Sequence, residues 1–184
     1  MRNFFFIKLI VIIMLQIACS SKRQLPKSEQ DLFAIIEEDS KAYAEGFLKQ
    51  DANLIVHYTN EAFVLDKGGK DAYLKEMQRD CREFKARNDK ILDIAFSKPD
   101  SIMRIENRLV CVLKLTGHES FGLTGDQSYE ISNAILANSN DSGYSWKFLG
   151  LFGLEEDKIK AYVPGFSYQR FGIEKKVKEK QPWD

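Results

Sequence analysis

The chain has 184 residues, enough for one domain with a hydrophobic core of its own and too few for two comfortable ones. Lys and Arg number 27 and Asp and Glu number 27, a net charge of zero that argues against a nucleic-acid partner, which needs a basic face. Aromatic residues make up 12% of the chain, a content that fits a packed or cavity-forming fold and excludes a disordered one.

Residues 1–18 read MRNFFFIKLIVIIMLQIA: two basic residues, Arg2 and Lys8, an apolar run from Leu9 to Leu15, then a small residue, Ala18, before Cys19. The run is too short to span a bilayer and sits where a secretory signal places its apolar segment. With Cys19 at its end it resembles a bacterial lipoprotein signal peptide, although Gln16 stands where that family prefers Leu. The resemblance implies cleavage before Cys19 and acylation of that residue, hence a membrane partner through lipidated Cys19. Several acyl chains on one residue anchor firmly, at about 0.8 kcal/mol per buried CH₂. Residue 20 is Ser, not the Asp of inner-membrane retention, so the resemblance points to the cell envelope, on the outer membrane and facing the periplasm. Residues 19–27 then read as a polar tether.

Ser28 to Asp31 has the form of a capping box, and Leu32, Ile36, Tyr43 and Phe47 recur at helical spacing, predicting a helix from about Ser28 to Gln50. A short helix is expected over Ala52–Thr59. Ala62–Leu65 reads as a strand, broken by Asp66-Lys67-Gly68-Gly69. Leu74, Met77, Cys81 and Phe84 form the inward stripe of a helix from about Lys70 to Ala86, and its charged residues form a solvated face.

Strands follow. Leu92, Ile94 and Phe96 are expected on one face of the first; Ile102–Ile105 is a short second, turned by Glu106-Asn107. Arg108–Thr116 is apolar on both faces and therefore central. Gly117–Asp126 holds three glycines and reads as a bent strand or a long loop. Tyr129–Asn138 and Tyr144–Leu149 alternate about a turn at Asn140–Gly143. Glu155–Tyr162 is expected to be a short helix. Phe166, Tyr168 and Phe171 are expected to cover an apolar edge, and residues 174–184 form a charged tail.

The order of elements, with the stretches GFLKQDANLIVHYTNEAFV, GGKDAYLKEM and YSWKFLGL, is similar to the NTF2-like superfamily, which includes the ketosteroid isomerase-like and SnoaL-like proteins. The resemblance covers about residues 28–151, within a domain bounded at 28–173. It implies an α+β cone, in which a bent antiparallel sheet wraps a long N-terminal helix around a pocket. It also implies that a homodimer can form through the outer sheet face.

Strand parity places Tyr129, Ile131, Asn133 and Ile135 inside with Trp146, and puts Lys114, His118 and Glu130 outside. The expected pocket-binding set is Tyr43, Tyr58, Tyr129, Asn133 and Trp146. The favoured reading is a non-catalytic envelope lipoprotein domain binding a small apolar ligand or a protein partner. An isomerase-, dehydratase- or cyclase-like enzyme with His118 or Glu130 as its base is the alternative. A periplasmic lipid carrier is a third. Two histidines and no cysteine cluster predict no metal and no cofactor. Cys81 and Cys111 are left either as separate buried thiols or as a disulfide.

Overall fold

A computed structural model describes residues 26, 28–122 and 128–173. The leader, Cys19, the tether apart from Pro26, and the tail 174–184 lie outside the described residues. The chain starts with α1 (Glu29–Lys49). Its capping box is formed: Ser28 Oγ accepts from the Asp31 amide at 3.1 Å, and the Ser28 amide donates to Asp31 Oδ2 at 3.0 Å. The helix stops at Gln50, which turns left-handed at φ 53°.

Three helices follow: α2 (Ala52–Tyr58), α3 (Glu61–Asp66) and α4 (Lys70–Ala86). The segment expected as a strand at Ala62–Leu65 is thus helical. Four apolar residues do not distinguish strand from buried helix. Asn60 decides it: its Oδ1 accepts from the Phe63 amide at 2.9 Å and caps the turn, while its Nδ2 donates to Asn138 Oδ1 at 2.8 Å.

The sheet contains β1 (Lys90–Phe96), β2 (Met103–Ile105), β3 (Arg108–Ser120), β4 (Ser128–Ser139) and β5 (Lys147–Gly150), with order β1-β3-β4-β5. All pairs are antiparallel, and β1 and β2 share one edge of β3. Ile105 pairs with Arg108, so Glu106-Asn107 is the two-residue turn expected there. A bulge between Ile91 and Asp93 takes Leu92 out of the ladder, and Leu92 is exposed instead of sharing the face of Ile94 and Phe96. The last strand begins at Lys147 rather than Tyr144. Asp141 accepts from the Ser145 amide and hydroxyl, at 3.1 and 2.8 Å, and holds the preceding residues in a loop.

The fold class is α+β, a bent antiparallel sheet with the long N-terminal helix on its concave face. The main core lies between them and contains Ile36, Tyr43, Cys111, Leu113, Trp146 and Phe148. A second core covers part of the convex face. Here α5 (Glu156–Tyr162) and the residues after it pack Ile159, Val163 and Phe166 against Val110, Leu136 and Leu149. Apolar residues on both faces of β3 are explained by these two cores, and the aromatic segment expected to cover an apolar edge packs into the second core on the convex face instead. Tyr162 Oη donates to Asp66 Oδ2 at 2.8 Å and fixes α5 to α3.

Candidate functional site

The Gly117 region decides where His118 points. β3 runs unbroken through it, with Gly117 opposite Ile131 and His118 opposite Glu130. Gly117 serves close approach rather than a bend: a Cβ there would lie 2.5 Å from the Asp93 carbonyl oxygen. Parity is kept, and His118 and Glu130 both lie on the outer face with Lys114.

His118 is not isolated there. Its Nδ1 lies 3.0 Å from Asp93 Oδ2 and 3.2 Å from Asp93 Oδ1, and Asp93 is its register partner on β1. The His118 and Asp93 side chains are 50% and 63% exposed. Both side chains are thus open to solvent on the outer face of the sheet.

Of the expected pocket residues, three come together and two do not. The Tyr43 ring stacks on Phe148 at 5.1 Å and on Phe96 at 6.2 Å, and meets Phe47 edge-on at 4.9 Å. Burial raises its phenol well above the usual tyrosine range. Tyr58 packs on the same Phe148 ring at 6.4 Å. Trp146 is fully buried beside them, and its Nε1 has no hydrogen-bond partner among the described residues. Aromatic rings therefore fill the space between α1 and the lower part of the sheet. Asn133 lies further along the inward row, with its Oδ1 accepting from the Ala134 amide at 2.8 Å. Tyr129 stands at the rim, 51% exposed, with its ring 5.5 Å from Phe121.

Two inward carboxylates complete the interior. Asp39 on α1 is 1% exposed, and its Oδ2 accepts from the Trp146 amide at 2.8 Å. It occupies the stripe of Ile36 and Tyr43 at steps of three and four, so helical spacing alone locates it. Glu119 continues the inward row of β3, opposite Tyr129 and Ile91, near the rim. Its carboxyl is held above its ordinary range, by burial first and by Asp89 second. The alternation of β3, carried two residues past Gly117, finds it.

Two clefts lie outside the cone and adjoin at Asp51 and Asn53. One, of about 420 Å³, lies between the end of α1, the start of α2 and the C-terminal half of α4. The other, of about 340 Å³, includes His57, Lys70 and Leu74. Burial, then Lys147 and Lys70, lower the His57 pKa. None of the five expected pocket residues lines either cleft. Cys81 and Cys111 are both free, buried thiols, and burial pushes Cys111 up to about 12.

No family model matches the chain, and no curated protein matches it. Among solved structures it is similar to a ketosteroid isomerase-like protein from Erwinia carotovora atroseptica, with 13% identity over 67% of this chain and 98% of that one, at a TM-score of 0.42. It is also similar to an NTF2-like superfamily protein from Salmonella enterica serovar Typhimurium, with 12% identity over 70% of this chain and 99% of that one, at a TM-score of 0.38. These likenesses bear on no activity of this chain.

Proposed function

We propose that this chain is a lipid-anchored envelope protein whose domain binds a ligand or partner and does not catalyse. The observation that carries the reading is the unbroken register of β3, which keeps both candidate bases, His118 and Glu130, on the solvent side. Asp39 supports it, since the buried carboxylate of the core already accepts the Trp146 amide. The aromatic filling around Phe148 directs binding to the rim and the outer clefts instead of a central chamber. On the outer sheet face α5 covers Val110 and Leu136, so a second copy would meet the polar part of that face, around Lys114, His118 and Glu130.

The anchor rests on the leader and Cys19. Labelling with a radioactive or clickable fatty acid should mark the chain, and Cys19→Ala should abolish the label. A labelled Cys19→Ala chain would refute the anchor. For binding, the full chain is extracted from its host envelope in non-ionic detergent and examined by native mass spectrometry and cross-linking. A retained small molecule or a cross-linked partner is expected; an empty chain with no partner contradicts the reading.

One observation favours a second reading, acid–base catalysis at the rim. Glu119 lies on the inward row of β3 near the rim, opposite Tyr129, and its carboxyl pKa is raised by burial and by Asp89, the direction that favours a role as an acid or base. Any turnover attributed to the domain should then vanish in Glu119→Gln and survive in His118→Ala.

A further inference from the structure

The cleft at the end of α1 carries an imbalance of charge that the rest of α4 does not. On α4, Arg79 pairs with Asp80 at 3.1 Å and with Glu83 at 3.8 Å, and Glu76 takes Lys67 at 3.6 Å. Arg82 and Lys85 form no ion pair among the described residues, and both line the cleft. They are three residues apart and so project from one helix face, beside Cys81 and Gln78. Lys49 faces them from the last turn of α1.

The lining holds one carboxylate, Asp51, and it is turned away to cap α2. Its Oδ1 accepts from the Asn53 amide at 3.0 Å and from the Leu54 amide at 3.3 Å. Arg82 and Lys85 thus face a single acid in the lining, which also holds the Gln78 and Asn53 amides, while the third cation, Lys49, is ion-paired with Glu45 one turn back on α1. Lys85 also suits the negative end of α4, which accounts for one cation in the last turns. It does not account for Arg82.

We propose that this cleft binds a small dianionic oxyanion, a phosphate monoester or a dicarboxylate, with Arg82 and Lys85 as its principal charge partners. The guanidinium offers a planar pair of donors that matches two oxygens, and the ammonium adds a point charge beside it. The space, about 420 Å³, accommodates a metabolite-sized molecule. α1 rises about 30 Å over its length, so the cleft at Lys49 and Gln50 lies at the opposite end of that helix from Ser28, where the chain enters the domain. That placement suits a soluble anion better than the headgroups of the membrane holding the anchor.

The test is amide NMR of the full chain in non-ionic detergent, titrated with inorganic phosphate and, separately, with malonate. Saturable shifts confined to residues 50–53 and 78–85 are expected with at least one of the two, and which one responds identifies the class. Combining Arg82→Gln with Lys85→Gln should weaken binding about tenfold or more. Lys41→Gln, at an exposed position of α1 outside the cleft, should leave it unchanged. Both changes in the double variant are to exposed positions, and its unaltered spectrum elsewhere will show that it is folded. The proposal is overturned if neither anion gives a saturable shift, if the double variant titrates like the parent, or if shifts spread over all exposed lysines.

Discussion

Asp39 separates a structural carboxylate from a catalytic one. It is 1% exposed, and its Oδ2 takes the Trp146 amide at 2.8 Å, just before β5 begins. Asp39→Ala leaves that amide buried without this acceptor, a cost of about 1–3 kcal/mol. Alanine recovers roughly 0.5 kcal/mol through its better helix propensity. The net loss is then about 1.5 kcal/mol. For a domain of this size that corresponds to a fall of about 3–6 °C in Tm. Asp39→Asn keeps a carbonyl oxygen at the same place and should retain most of the stability. Urea denaturation at constant slope reads the difference as a shift in midpoint. If Asp39→Ala is as stable as the parent, the bond to Trp146 contributes nothing. If Asp39→Asn is as damaging as Asp39→Ala, the charge rather than the acceptor is what the site uses, and the structural reading fails.

The other predictions concern the core, the sheet and α5. Phe148→Ala removes the ring on which Tyr43 stacks and should cost about 3–5 kcal/mol in urea unfolding, whereas exposed His118→Ala should stay within about 0.5 kcal/mol. Gly117→Ala places a Cβ 2.5 Å from the Asp93 carbonyl oxygen; hydrogen exchange of the Ile94 and Ala95 amides should accelerate as β1 is pushed off β3. Asp66 is depressed, first by the Tyr162 hydroxyl and then by Lys158, so its contribution is present above the unfolded carboxylate pKa, about 3.9, and is lost as pH falls through the lower folded value. Tyr162 is raised, first by burial, so its contribution is full below about pH 10 and is lost as pH rises through the higher folded value. Exchange of the α5 amides should therefore quicken at both extremes, and Asp66→Asn should remove the acid-side change.

Much of this architecture is legible in the amino-acid order because local and global signals agree. The Ser28–Asp31 box, the stripe of Ile36, Tyr43 and Phe47, and the two apolar faces of β3 each name one arrangement. Ala62–Leu65 is misleading because its fate depends on Asn60, tied to Asn138 on a strand 78 residues away. Tyr144–Ser145 alternates like a strand, yet the side chains of Ser139 and Asp141 hold that stretch as a loop, a competition that periodicity does not contain. The site is less legible than the fold. Parity places His118 and Glu130 correctly, but stopping at the glycines hides Glu119. Attention to apolar members of the α1 stripe likewise hides Asp39. The clefts beside α2 form where three helices meet, and no segment taken alone describes them.

Aromatic rings fill the space between α1 and the lower part of the sheet, which is why the proposed binding is assigned to the rim and the outer clefts. The Trp146 indole reports on that space directly, being fully buried with no hydrogen-bond partner for Nε1 among the described residues. Only opening of the core can expose its proton. Hydrogen exchange of Nε1–H in the full chain should match the slowest amides of Leu113 and Leu136, and saturating a small apolar probe should leave its resonance in place. Exchange at the rate of a free indole, or a saturable shift of that resonance with the probe, would show a wet or ligand-ready chamber and contradict the account.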